Sequence, residues 1–141
     1  MDAGMKLLPE DLLRRADVRW GELAWHPADI PAVIEAAKDA NLINLGGHLQ
    51  VRASSSYGES VYAYFHYNLQ DGQPWEQQVE RSAKEALQFI QSFKGNSEFI
   101  AIARESWPAL MDEAEAAKSD PMSVVYFSWS LMRETEALQP R

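Results

Sequence analysis

Cysteine is absent from this sequence. That excludes a disulfide framework, a thiol nucleophile and cysteine-ligated zinc, and it suits a reducing compartment. Long apolar runs are missing too, and no stretch approaches the roughly 18 consecutive apolar residues of a spanning helix. Residues 1–6 lack a charged start followed by an apolar core, so no secretory signal is expected and the cytoplasm is the expected location. Positive charge is scarce. Thirteen Lys and Arg stand against 21 Asp and Glu, a formal net charge of −8. Nucleic acid and anionic lipid draw much of their affinity from cationic side chains, so neither is an expected partner. An acidic surface keeps a protein in solution or attracts a basic one.

What the chain does have is bulk. Hydrophobic residues make up 46%, with five each of Trp, Tyr and Phe. Each aromatic side chain can bury roughly 150–250 Å², enough to give residues 1–141 one core and one domain without a metal or cross-link. Residues 9–13 read as a short helix opened by Pro9, with acids in its first turn. The state of residues 18–25 is left open by its mixed pattern. Ile30, Val33, Ile34 and Ala37 recur at helical spacing, with Asp29 placed as the N-cap and Asn41 at the stop.

The period then changes from helical to alternating. Ile43, Leu45, Gly47, Leu49 and Val51 occupy every second place, which predicts a strand with one buried face. A turn over residues 54–59 leads to a second, aromatic strand over 60–69, and so short a connection makes the pair an antiparallel hairpin. Pro74 opens the strongest helix, with Val79, Ala83, Ala86, Leu87, Ile90 and Phe93 as its apolar stripe and Gly95 beyond its end. Residues 97–117 read as one helix kinked at Pro108, or as two with Ser106 capping the second. Residues 122–131 read as a third strand, with Val125, Phe127, Trp129 and Leu131 on one parity, although Val124, Phe127 and Leu131 also fit a helix. The expected architecture is α+β: a small antiparallel sheet, the hairpin plus a third strand, packed against several helices.

No complete catalytic, metal or nucleotide motif is present. Gly46-Gly47 interrupts a strand instead of joining a strand to a helix, so it is no phosphate loop, and a bulge or a close backbone approach is the ordinary cause. Ser54, Ser55, Ser56 and Ser60 lack the nucleophile-elbow pattern of serine hydrolases. The histidines are His26, His48 and His66, with no helical metal-ligand spacing among them. His48 and His66, on neighbouring strands, fall at least one ligand short of a zinc site, so no metal and no cofactor are expected.

Two groups are candidates for partner binding. Tyr62 and Tyr64, with His66 on the same parity and Trp75 at the next helix start, would form an aromatic face of the kind that makes protein hot spots or ligand walls. A buried position under a helix is the commoner fate of such residues. Residues 105–120 carry five acids and one Lys. Of these, Asp112, Glu113, Glu115 and Asp120 are the candidates to meet a basic partner, against the ordinary role of a solvated helix face.

Several stretches carry a resemblance: Ile43-Asn44-Leu45-Gly46-Gly47-His48-Leu49-Gln50-Val51-Arg52, Tyr62-Ala63-Tyr64-Phe65, the helix start from Trp75-Glu76 to Ser82, and Tyr126-Phe127-Ser128-Trp129. Over residues 43–130 they resemble small bacterial immunity proteins found beside contact-dependent or polymorphic toxins. The resemblance implies a protein that binds one toxin and blocks it without catalytic residues. The favoured reading is therefore a non-enzymatic protein-binding domain, an immunity protein with a basic toxin domain as partner; self-association is left open. The alternative is a small-ligand-binding or hydrolytic domain, with a pocket between hairpin and helices and His48, Arg52 and His66 at its mouth.

Overall fold

The computed structural model describes residues 4–19, 21–54 and 56–137. Helix α1 (Glu10–Arg15) leads into β1 (Asp17–Arg19) and β2 (Glu22–Trp25), then α2 (Ile30–Asp39), β3 (Ile43–Arg52) and β4 (Tyr57–His66). Helices α3 (Trp75–Gln91), α4 (Asn96–Ser106) and α5 (Pro108–Ala116) follow, and β5 (Val125–Ser128), β6 (Ser130–Met132) and α6 (Glu134–Ala137) close the chain. The expected α+β architecture is found, with a sheet wider than a hairpin and one strand. Its antiparallel order is β1-β2-β5-β3-β4, and β6 also pairs with β3. The region left open at residues 18–25 supplies two of the six described strands.

Strand β3 is the axis, with β4 on one side and β5 and then β6 on the other. Helices α2 to α5 pack on one face of this sheet. Alternation aims Leu49 and Val51 at that layer, opposite Phe127 and Val125 of β5, and all four are fully buried. Burying a side chain of this size contributes about 1.5–3 kcal/mol. From α3, Val79, Ala83, Ala86 and Ile90 are buried as the stripe predicts, while Leu87 is half-buried. Asn41 ends α2 at φ 61, the left-handed conformation that Asn tolerates.

The departures from the expected pattern have local causes. The turn is tighter than residues 54–59: Ala53 N–H donates to the Ser56 carbonyl at 2.9 Å and the ladder resumes at Tyr57. Leu45 was expected in the core and is only half-buried, because the β3–β6 register shifts between Asn44 and Gly46. Asn44 takes the inward place. The two helices over 96–116 are separated at Trp107, and Ser106 bonds Ser60 Oγ at 2.9 Å instead of capping α5. Asp29 makes no capping bond either, and accepts from Arg15 Nη1 at 3.3 Å. Residues 121–124 form a 3-10 turn, so the third strand divides into β5 and β6 about Trp129.

Gly47 marks the crossing of sheet and core. A Cβ there would stand 2.1 Å from the Ser128 carbonyl and 2.4 Å from the Trp129 ring. Of the two ordinary causes, a bulge or a close backbone approach, the close approach holds at Gly47, while the register shifts fall on either side of it.

Candidate protein-binding surface

The sheet face away from the helix layer carries His48, Gln50 and Arg52 from β3, in alternation with the inward Leu49 and Val51. Beside them lie Glu59, Tyr64 and His66 of β4, paired respectively with Gln50, His48 and Gly46. Tyr126 of β5 lies on the other side of Gln50. Gln50 and Arg52 are nonetheless buried, at 0% and 3% exposure. Short-range bonding explains how. Arg52 Nε donates to Gln50 Oε1 at 2.8 Å, and its Nη1 donates to Asp17 Oδ2 at 2.9 Å and to the Asp17 carbonyl at 3.0 Å. Its Nη2 lies 3.8 Å from Glu22 Oε1 and has no hydrogen-bond partner. The Tyr57 ring stands 5.7 Å from the guanidinium carbon. Burial, with Asp17 beside it, raises the Tyr126 phenol above its ordinary value near 10, while Arg19 and Arg52 pull it down.

Four residues of β4, Ser60 to Ala63, stand opposite the single Leu49 of β3, because the register passes from His48–Tyr64 to Gln50–Glu59. A bulge of this size re-aims side chains. Ser60 and Ala63 point inward and are buried, whereas Tyr62 and Tyr64 are 65% and 59% exposed. Both tyrosines are therefore outside the core, on a strand anchored to the centre of the sheet. His48 stacks on Tyr64 with ring centroids 5.8 Å apart. Trp75 does not join this face; it is buried with Ile43, Tyr67 and Val79, and its Nε1 donates to the Asn41 carbonyl at 2.9 Å.

The acidic candidates lie at the end of the sheet where the hairpin turns. Arg104 of α4 pairs with Glu115 and, at 3.6 Å, with Asp112. Ser54 Oγ donates to Glu113 Oε1 at 2.9 Å, which ties α5 to the hairpin. Asp120 accepts from Met122 N–H at 2.9 Å and caps the 3-10 turn. Asp112, Glu115 and Asp120 are exposed, with Asp112 the most open of the ion-paired acids at 72% of its side chain. Trp107, at the α4–α5 junction, donates from Nε1 to the Glu59 carbonyl at 2.9 Å, joining this end to β4.

The three residues of the alternative pocket do not converge. His48 and His66 share a shallow trough of about 320 Å³ floored by Gly46 and Gly47. Arg52 is four residues from His48, roughly 13 Å along an extended strand, and is committed to Asp17 and Gln50. A larger cleft of about 980 Å³ lies beside the loop after β4, with His66 and Trp75 in its lining, and neither His48 nor Arg52 reaches it. Among the described residues no group of three or more His, Asp or Glu is placed to hold a metal ion, and no helix is long and apolar enough to cross a membrane.

Residues 13–103 match the profile of the family described as Immunity protein 40, well over half of the chain. The chain belongs to this immunity-protein family. No curated protein and no solved structure matches it. The Immunity protein 40 match takes in β1 to β4, α2 and α3, and so includes Glu22, Gln50, Arg52, Glu59, Tyr62 and Tyr64. The acids of α5 and Asp120 fall beyond it. Sequence reasoning missed Glu22 and Glu59. No local signal marked them, since Glu59 falls in the expected turn and Glu22 in the segment of mixed pattern, and the strand pairing that brings both to Gln50 is not written in local sequence.

Proposed function

We propose that this chain neutralises a bacterial protein toxin by binding it, as a non-enzymatic partner of a toxin domain with a basic surface. The observation that carries the reading is membership of Immunity protein 40 over residues 13–103, a family whose description implies a toxin-directed protein contact. The exposed pair Tyr62 and Tyr64 supports it, since rigid, amphipathic rings on a sheet make anchoring contacts at little entropic cost. The charge of −8 supports a basic partner, and Asp112, Glu113, Glu115 and Asp120 would steer its approach. The encounter is placed in the cytoplasm, where a cysteine-free chain has no need of oxidative folding.

The test is protection. Cells that express the proposed toxin domain should survive when the chain is co-expressed and die when it is not. Survival lost in the Tyr62→Ala, Tyr64→Ala double variant, with the protein present at normal level, is the expected second result. Death despite abundant wild-type protein would contradict the reading.

A further inference from the structure

The sheet has two outer strands, β1 and β4. On β1 stand the charged Asp17 and Arg19, with Asp17 paired to both Arg19 and Arg52. Charge on an outer strand is a common guard against pairing with another chain. Strand β4 lacks that guard over most of its length, since residues 60–70 contain no Asp, Glu, Lys or Arg.

Bonds at the two ends of β4 fix which main-chain groups it turns away from β3. Tyr67 N–H donates to the Leu45 carbonyl at 2.8 Å, which continues the register of His66 with Gly46. Bonded and non-bonded pairs alternate in an antiparallel ladder, so Phe65 bonds Gly47 while Tyr64 and His66 aim N–H and C=O outward. His48 shows the same phase, because its N–H donates to Ser128 Oγ at 3.1 Å, away from Tyr64. At the hairpin end, alternation counted from the Ala53–Ser56 bond turns Glu59 outward, and Trp107 Nε1 donates to its carbonyl at 2.9 Å. Tyr62 N–H is taken by Ser60 Oγ at 3.1 Å. Among the described residues no bond reaches the outward groups of Tyr64 and His66, and both residues are exposed.

We infer that this chain pairs with a second copy of itself, edge to edge, through residues 64–66 of β4. The outward groups recur at strand spacing, which another extended backbone matches. They also fix the register. A two-fold axis beside Phe65 sets Tyr64 opposite His66 of the second copy, and each such pair exchanges two main-chain bonds. An axis beside Tyr64 would instead call on the Tyr62 N–H that Ser60 already holds. Charge favours a second copy over a basic toxin at this edge. Two chains of −8 repel, and they meet at least cost where charged side chains are missing, whereas a basic protein is drawn to the acids. The pairing goes beyond the toxin reading and leaves the Tyr64 ring on the open face, stacked with His48. The bulge over residues 60–63 and the Trp107 bond keep the ladder short, so the dimer is weak.

Analytical ultracentrifugation from about 10 µM to about 1 mM tests the pairing. The weight-average mass of the wild type should climb from 16.0 kDa toward twice that value. In the double variant Tyr64→Glu, His66→Glu, like charges face each other across the axis, and the mass should stay at the monomer's. In Tyr64→Glu, His66→Lys each Glu faces a Lys, and the dimer should return. Both variants alter exposed side chains alone, and melting curves check that they fold. In the wild type, amide exchange at Tyr64 and His66 should slow as concentration rises. A wild type at monomer mass throughout overturns the inference, and slowed exchange at those two amides on adding the proposed toxin domain would then give the edge to that partner. A dimer that persists in the Glu–Glu variant, that the Glu–Lys variant fails to restore, or that leaves the two amides unprotected overturns it as well.

Discussion

Asn44 illustrates how one buried polar side chain can hold three elements together. Its Oδ1 accepts from Trp129 Nε1 at 2.8 Å, its Nδ2 donates to the Ile34 carbonyl at 3.3 Å, and its backbone N–H donates to Ser82 Oγ at 3.0 Å. Strand β3 is thereby tied to the segment after β5, to α2 and to α3. Replacing Asn44 by Ala would strand the Trp129 N–H and the Ile34 carbonyl, at about 1–3 kcal/mol for each buried group left unpaired. A urea denaturation curve should show the lower midpoint; an unchanged midpoint would mean these bonds do not contribute. Arg52 follows the same logic with charge. Its burial could not be foreseen from its own neighbourhood, because Asp17 and Glu22 lie 35 and 30 residues away.

At the scale of elements, the alternation in β3 was legible because Leu49 and Val51 obey it, and the α3 stripe because helical spacing is strong over 17 residues. The places where parity failed are bulges. One brings Asn44 inward and leaves Leu45 half-buried; the other turns Tyr62 and Tyr64 outward. A bulge is set by the partner strand, so a single strand's pattern does not announce it. Leu49→Ala should accordingly cost about 2–5 kcal/mol, whereas Leu45→Ala should cost clearly less, since a half-exposed side chain leaves no sealed cavity. Thermal melts of the two variants decide the matter, and equal losses would contradict the observed register. Strands β1 and β2 escaped prediction for another reason: three and four residues are too few to display a period.

The whole molecule is a helix layer on one face of an antiparallel sheet, whose other face carries the exposed Glu59 and Tyr64. The −8 charge and the missing cysteines agree with the proposed class of partner, but composition says nothing of a contact surface. The acids singled out in sequence are partly engaged within the fold, with Arg104 between Asp112 and Glu115 and Ser54 on Glu113, so the role proposed for them is long-range attraction and not a preformed pocket. The most direct measurement is the association rate with the proposed toxin domain, followed by stopped flow at low and high salt. Binding should be fast at low salt and fall steeply as salt rises. Reversal of the exposed Asp112 and Glu115 to Lys should slow association while changing the melt only slightly, because exposed ion pairs such as theirs with Arg104 contribute about 0–1 kcal/mol. No binding at either salt concentration would contradict the toxin-neutralising account, and tight binding indifferent to salt and to the reversal would contradict its electrostatic part.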